Sequence, residues 1–147
     1  MEYLDFDVTV IGAGPAGLAA ALSADREGAK TLLIEREARL GGILKQCIHD
    51  GFGLVRFQEK LSGPEYAERF IDQLNESHIA LMTLSFVSNI ERVENISYLT
   101  IITRSGIQYV RTRTLVFATG CRERTSRQIG IHGRHCAGVF TAGTAQY

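Results

Sequence analysis

The chain has 147 residues, of which 45% are hydrophobic and 22% charged, and 16 basic side chains balance 16 acidic ones. This composition is typical of one globular domain, and the zero net charge gives no reason to expect nucleic acid or an anionic membrane as a partner. No apolar run approaches the ~20 residues of a membrane span, no basic secretory signal opens the chain, and three cysteines without a C-x-x-C pair favour a reducing cytoplasm.

The first 35 residues predict a βαβ unit. Residues 6–11 are apolar and β-branched without helical periodicity, as in a buried parallel strand. The glycine-rich stretch GAGPAG follows, and residues 18–28 are helix formers that end at Gly28. Residues 29–35 predict a second buried strand, joined to the first by a right-handed crossover.

A glycine-rich loop over 36–63 is predicted to precede a second helix. Ser62 and Glu65 form an S-x-x-E capping box, with Pro64 in the first turn, and apolar positions share one face through Asn75.

From residue 78 the pattern changes to strands, at 79–84, 86–93, 97–104, 108–112 and 113–120. The Ser-Gly at 105–106 predicts a hairpin turn, so we expect an antiparallel β-meander followed by a further buried strand.

The stretch between the first strand and helix has the form Gly12-x-Gly14-x-x-Gly17. Gly12 permits a tight turn, Gly14 lets the backbone approach a pyrophosphate, and Gly17 lets the helix pack against the strand. The motif alone is weak evidence, since glycine-rich turns occur in other α/β proteins. Glu35, 23 positions after Gly12 at the end of the second strand, is spaced as an acid that binds a ribose hydroxyl. Its carboxylate would repel a 2′-phosphate, which disfavours NADP but leaves FAD and NAD open.

The order of motifs along the chain favours FAD over NAD. GAGPAG, Glu35, LGG at 40–42, SGPEYAERFIDQL, a meander and TLVFATG resemble the FAD domain of two-dinucleotide-domain flavoproteins of the thioredoxin-reductase-like class. The stretches GGILKQCIHDGFG and ATGCRERT further resemble flavin subunits of dye-linked amino-acid dehydrogenases, opine oxidases and hydrogen cyanide synthase. The resemblance implies an α/β Rossmann-type three-layer fold with a parallel sheet and a β-meander covering one face.

The resemblance also implies which residues bind FAD. The pyrophosphate would lie on the glycine turn, the adenosine ribose on Glu35, and the adenine along Arg36 and against the backbone of Val87. Gly42 and Ile43 would lie under the pyrophosphate and the ribityl chain. Three residues after the last strand would close over the cofactor. The complete set is Gly12, Gly14, Pro15, Ala16, Gly17, Glu35, Arg36, Gly42, Ile43, Val87, Ala118, Thr119 and Gly120.

Cys47 follows the double glycine as a single cysteine, whereas disulfide reductases have two in this loop. The region resembling the thioredoxin-reductase C-x-x-C site, GVFTAGTAQ, has none. We therefore expect plain thiols, although Cys121 or Cys136 could approach Cys47 in space.

Several polar residues keep two interpretations. His49 and Asp50 could position or protonate the flavin, or Asp50 could simply form a turn with Gly51. A zinc site at His132, His135, Cys136 and Cys121 is disfavoured by the spacing, so no metal is expected. Arg122, Arg124 and Arg127 could attract a phosphate, but a solvated loop is favoured.

Residues 1–147 are thus expected to form an incomplete FAD-binding domain, without the NAD(P)H domain and the Gly-Asp segment of such flavoproteins. The expected function is hydride transfer between NAD(P)H and another acceptor through flavin, with no catalytic side chain assigned and the isolated chain inactive. A partner subunit is possible. The alternatives are a non-catalytic FAD- or nucleotide-binding module and an NAD-binding dehydrogenase domain.

Overall fold

The structure is a computed structural model that describes residues 2–133 and 137–146. Eight strands, three α-helices and two 3₁₀ helices follow in chain order within these residues: β1 (Tyr3–Ile11), α1 (Pro15–Arg26), β2 (Thr31–Ile34), a 3₁₀ helix (Gly42–Gln46), β3 (Asp50–Phe52), β4 (Leu61–Ser62), α2 (Gly63–Asn75), β5 (Ala80–Met82), β6 (Phe86–Val93), β7 (Ile96–Thr103), β8 (Gly106–Phe117), a second 3₁₀ helix (Arg127–Ile129) and α3 (Ala142–Gln146). Within this part of the chain, no helix is long and apolar enough to cross a membrane.

Six strands form one sheet in the order β5-β2-β1-β8-β7-β6. Strands β5, β2, β1 and β8 run parallel, and their registers pair Ile11 with both Ile34 and Phe117, and Ile34 with Met82. The parallel strands therefore end at one level, and the residues that follow them meet at a common carboxyl edge. In open α/β sheets this edge is where ligands bind.

Two apolar clusters show that the fold has three layers. Helices α1 and α2 pack on one face, where Leu18 and Phe70 belong to one apolar cluster with Val10 and Leu33 of the sheet. On the other face, Leu32 of β2 belongs to one cluster with Leu99 and other residues of the meander β6-β7-β8. In a flat sheet β2 and β7, three strand spacings apart, would lie about 14 Å from each other and could not touch. The sheet therefore curls so that the meander covers the face opposite the helices, which confirms the expected three-layer architecture.

Helix α2 begins where the sequence predicts, whereas α1 begins at Pro15, ahead of the predicted start at residue 18. At α2, the Ser62 backbone N–H donates to Glu65 Oε2 over 2.7 Å and the Glu65 N–H donates to Ser62 Oγ over 3.5 Å, so the capping box is present. At α1, Pro15 occupies the first turn and the helix ends at Arg26, with Gly28 at φ +80° just beyond it.

The prediction of separate strands at 108–112 and 113–120 was wrong, because β8 is one strand. Its polar centre looked like a break, but Thr112 is buried and the flanking arginines reach acids of β1. Arg111 Nε lies 2.7 Å from Asp5 Oδ1, and Arg113 Nη1 lies 3.8 Å from Asp7 Oδ1. The hydrogen bond from Arg111 lowers the pKa of Asp5 below its usual value.

The segment 36–63 is also more ordered than a loop, since it contains a 3₁₀ helix and the antiparallel pair β3–β4. Aromatic side chains anchor it to α2. Phe52 and Phe57 lie 6.1 and 5.5 Å from Tyr66, measured between ring centroids.

Thr9, in the middle of β1, is fully buried, and its hydroxyl has no hydrogen-bond partner among the described residues. A buried unsatisfied hydroxyl destabilises the native state. We expect Thr9→Val to raise the free energy of unfolding by about 1 kcal/mol in urea denaturation. Thr31→Val is the matched control, because the Thr31 hydroxyl donates to the Ala29 carbonyl over 3.0 Å and its loss should destabilise the fold. Equal effects of the two variants would contradict this assignment.

Candidate functional site

The carboxyl edge of the parallel sheet brings together three segments that are distant in sequence. The glycine turn follows β1, Glu35 follows β2, and Ala118 follows β8. Backbone hydrogen bonds connect them, since Gly12 N donates to Ile34 O over 2.8 Å and Ala118 N donates to Ile11 O over 2.9 Å. The predicted phosphate-binding and ribose-binding residues are therefore neighbours in the structure.

Two glycines of the turn are required by space. A Cβ on Gly12, which has φ +99°, would lie 2.4 Å from the carbonyl oxygen of Ala118. A Cβ on Gly17 would lie 1.7 Å from the carbonyl oxygen of Gly12. These contacts support the packing roles predicted for both residues, since the turn, the helix and the end of β8 approach one another at backbone distance.

The N-terminus of α1 opens at this edge. Its N-cap residue is Gly14, which has no side chain to accept from the first-turn amides, and Pro15 follows it. The first intrahelical bond is donated by Leu18 N to Gly14 O over 3.0 Å. The amides of Ala16 and Gly17 precede that bond, so helix geometry gives them no intrahelical acceptor. Such an N-terminus suits the phosphate groups of a dinucleotide.

The Glu35 carboxylate binds two backbone amides. Oε2 accepts from Ala13 N over 2.8 Å, and Oε1 accepts from Glu37 N over 2.9 Å. The residue is only 8% exposed, so its charge is stabilised chiefly by these two bonds. Each carboxylate oxygen can accept a second hydrogen bond, which leaves capacity for ribose hydroxyls.

The double glycine brings its loop against the glycine turn. Gly41 has φ +101° and donates its N–H to Ala13 O over 2.8 Å. Gly42 has φ +52°, and a Cβ on it would lie 2.9 Å from the Cα of Gly14. The two glycines permit a left-handed return of the chain and backbone contact with the turn, which is the role that the sequence predicts for them.

The other predicted cofactor residues lie around the same edge. Ala16 is exposed on the first turn of α1, and Ile43 is 61% exposed in the 3₁₀ helix. Arg36 is exposed, with Nε 3.4 Å from Glu37 Oε1. Val87 lies at the start of β6, close in sequence to Ser85. Because the Ser85 N–H donates to the Glu35 carbonyl over 3.0 Å, the start of β6 adjoins the end of β2.

Thr119 and Gly120, the last two predicted cofactor residues, follow Ala118 and are exposed. Gly120 has φ +69°, a conformation that glycine adopts readily.

Cys47 and Cys121 are free thiols in the structure, Cys47 half-buried and Cys121 exposed. The Cys47 thiol donates to the carbonyl of Ile43 over 3.5 Å. Cys136 lies outside the described residues, so its pairing with Cys47 stays a question for experiment.

Asp50 and Gly51 lie in strand β3 rather than in a turn, and the contacts of Asp50 point to a structural role. Its carboxylate lies 2.7 Å from Lys60 Nζ, and this hydrogen bond lowers the pKa of Asp50 below its usual value. Gly51 beside it has φ +116° at the start of the β3–β4 pair. The His49 side chain is exposed, with its ring 5.3 Å from that of Phe52.

The described residues contain no group of three side chains that could hold a metal ion. His135 and Cys136, two of the four residues considered for zinc, lie outside them.

Sequence reasoning missed Ala13, whose two backbone groups join Glu35 and Gly41. It occupies a variable position of the motif, and no residue-type signal marks a backbone contact. The pairing of Lys60 with Asp50 was also missed, because it depends on the unpredicted β3–β4 hairpin.

Comparison with known proteins bears on the same segments. The FAD dependent oxidoreductase family matches residues 7–49, which contain the end of β1, the glycine turn, Glu35 and the double glycine. The chain is 29% identical over 128 residues to thioredoxin reductase of Ureaplasma parvum, covering 85% of this chain and 38% of that protein. It is 28% identical over 126 residues to hydrogen cyanide synthase subunit HcnB of Pseudomonas protegens, covering 83% and 26% of the two proteins.

The structure is similar to that of thioredoxin reductase from Streptococcus pyogenes, with a TM-score of 0.69 and 26% identity over 84% of this chain and 38% of the other. The chain thus spans no more than 38% of the length of these relatives. The glycine turn, Glu35 and these similarities support an FAD-binding segment similar to that of the thioredoxin-reductase-like flavoprotein oxidoreductases.

Proposed function

We propose that this chain is the FAD-binding part of an oxidoreductase that transfers hydride between NAD(P)H and a second acceptor or substrate through flavin. One observation carries the proposal: an uncapped helix N-terminus and a carboxylate with spare acceptor capacity lie side by side at the carboxyl edge of the sheet. Bound FAD would supply hydride transfer at the flavin N5, and the protein would supply orientation and electrostatics.

The residues present at this edge fit FAD. The amides of Ala16 and Gly17 would bind the pyrophosphate, and the free lone pairs of Glu35 would accept from the adenosine ribose. The exposed guanidinium of Arg36 would lie along the adenine, with the backbone of Val87 at the adenine edge. Gly42 and Ile43 would lie under the pyrophosphate and the ribityl chain, and Ala118, Thr119 and Gly120 on the other side of the cofactor.

The meander supports FAD over NAD as the occupant. It packs on the sheet as a third layer, and the start of β6 lies beside Glu35, as the resemblance to FAD domains implies. Two rival proposals make different predictions. A non-catalytic nucleotide-binding module predicts no flavin reduction by NAD(P)H. An NAD-dependent dehydrogenase domain predicts no preference for FAD over NAD.

The nicotinamide would be held elsewhere, by a further domain or by a partner subunit. The sequence has one G-x-G-x-x-G motif after a strand, and the proposal assigns it to FAD. Hydride transfer needs the nicotinamide within about 3–3.5 Å of the flavin, and these residues offer no second dinucleotide turn to hold it. We therefore expect the 147-residue chain alone to be inactive with NAD(P)H. We propose a cytoplasmic location, in keeping with the free thiols of Cys47 and Cys121.

Glu35→Ala tests the ribose contact. Loss of charge-assisted hydrogen bonds should weaken FAD binding by about 1.5–3 kcal/mol, measured by fluorescence titration. Glu37→Ala is the matched control, because the Glu37 side chain is exposed and contacts only Arg36 among the contacts described. An unchanged FAD affinity in Glu35→Ala would remove the ribose role.

We also propose that flavin chemistry proceeds without a redox-active cysteine. Thiol counts on the native protein should then be the same with and without prior reduction, and Cys47→Ser should leave flavin reduction by dithionite unaltered. A reducible bridge from Cys47 to Cys121 or Cys136, detected by mass spectrometry, would contradict this prediction.

A further inference from the structure

Both backbone polar groups of Ala13 are bonded to segments outside the glycine turn. Its N–H donates to Glu35 Oε2 and its carbonyl accepts from Gly41 N–H, each over 2.8 Å. The residue is completely buried. Ala13 therefore joins the end of β2 to the double-glycine loop through the turn itself.

The hydrogen bond to the second carboxylate oxygen of Glu35 fixes the orientation of the carboxylate that binds Ala13. Because Oε1 accepts from Glu37 N over 2.9 Å, the carboxylate plane is defined by two amides on opposite oxygens. A negative charge beside a phosphate site is unfavourable for an anionic ligand, since like charges repel across a low-dielectric edge. The unfavourable effect of this carboxylate on phosphate binding must therefore be offset by another contribution of Glu35. That contribution is an ordering of the site, a contact with the ribose, or both.

We propose that Glu35 is a positioning residue for the pyrophosphate turn and the double-glycine loop, acting through Ala13, in addition to its ribose contact. The turn is held in place before a ligand arrives, so binding does not require that ordering. Gly41 extends the effect to Gly42, whose backbone lies against Gly14. The glycine turn and the double-glycine loop are thereby coupled through Ala13.

Hydrogen exchange on the ligand-free chain tests the positioning role without relying on the proposed function. In the wild type, the Ala13 and Gly41 amides should be protected to a degree similar to the Leu99 amide in the meander, although they lie in turns. Glu35→Gln should speed exchange at Ala13 and Gly41 by about tenfold or more and leave Leu99 unchanged. Glu37→Gln, which keeps the backbone donor to Oε1, should change none of the three.

Two exchange results would overturn the proposal. One is unchanged exchange at Ala13 and Gly41 in Glu35→Gln, and the other is an equal acceleration at Leu99, which would indicate general loss of stability. If Glu35→Gln does not fold, the wild type decides: exchange of Ala13 at the rate of an open loop overturns the proposal, and protection matching that of Leu99 supports it.

Ligand binding gives a second readout, which does rest on the proposed function. ADP and adenosine share the ribose, and only ADP reaches the pyrophosphate turn. If Glu35 contacts only the ribose, Glu35→Gln should lower the affinities for adenosine and ADP by the same factor. The loss for ADP could only be smaller, because the removed negative charge repels its phosphates. If Glu35 also positions the turn, ADP should lose roughly fivefold more affinity than adenosine in NMR titrations.

Equal losses for the two ligands, or a smaller loss for ADP, would contradict the positioning role. A wild type that binds neither ADP nor FAD would refute the proposed function, and the exchange result on the ligand-free chain would still decide the positioning role.

Discussion

The glycine turn after β1 and the double-glycine loop touch through their backbones, with no room for a side chain on Gly42. A Cβ on Gly42 would come within 2.9 Å of the Gly14 Cα, and a Cβ on Gly12 or Gly17 would overlap a carbonyl oxygen. This close approach leaves backbone amides, rather than side chains, to form the floor of the proposed dinucleotide site. The fold around it keeps these backbones in contact.

The layers of the fold each support that contact from a different side. Helix α2 packs on α1 through the cluster around Phe70 and Leu18, and the 3₁₀ helix that follows the double glycine lies against α2, with Gly63 close to the backbone of Cys47. On the opposite face, the meander buries Leu32 and Ile34 at the end of β2, which fixes the position from which Glu35 extends. Burial of both faces fixes the end of β2, so that the Glu35 carboxylate meets the backbone amides of Ala13 and Glu37 at the edge.

The sequence predicts the parts of this arrangement that follow local rules. The βαβ unit, the capping box of α2 and the glycine turn each have a pattern of residue types at fixed spacing, and each was correct. The continuous β8 was missed because Arg111 and Arg113 look like a break until Asp5 and Asp7 are beside them. The β3–β4 hairpin and the bonds of Ala13 were missed for a related reason: long-range pairing leaves no local pattern in the sequence.

The location of the FAD site is the central claim, and amide chemical-shift mapping of the protein with added FAD tests it most directly. The largest shifts are predicted at the carboxyl edge, in Gly12 to Gly17, Glu35, Gly42 and Ala118 to Gly120. The structure offers a competing location, a cleft of about 360 Å³ lined by Asp5, Lys30, Tyr98 and Arg111 at the amino half of β1. Shifts confined to that cleft, with none at the glycine turn, would contradict the account.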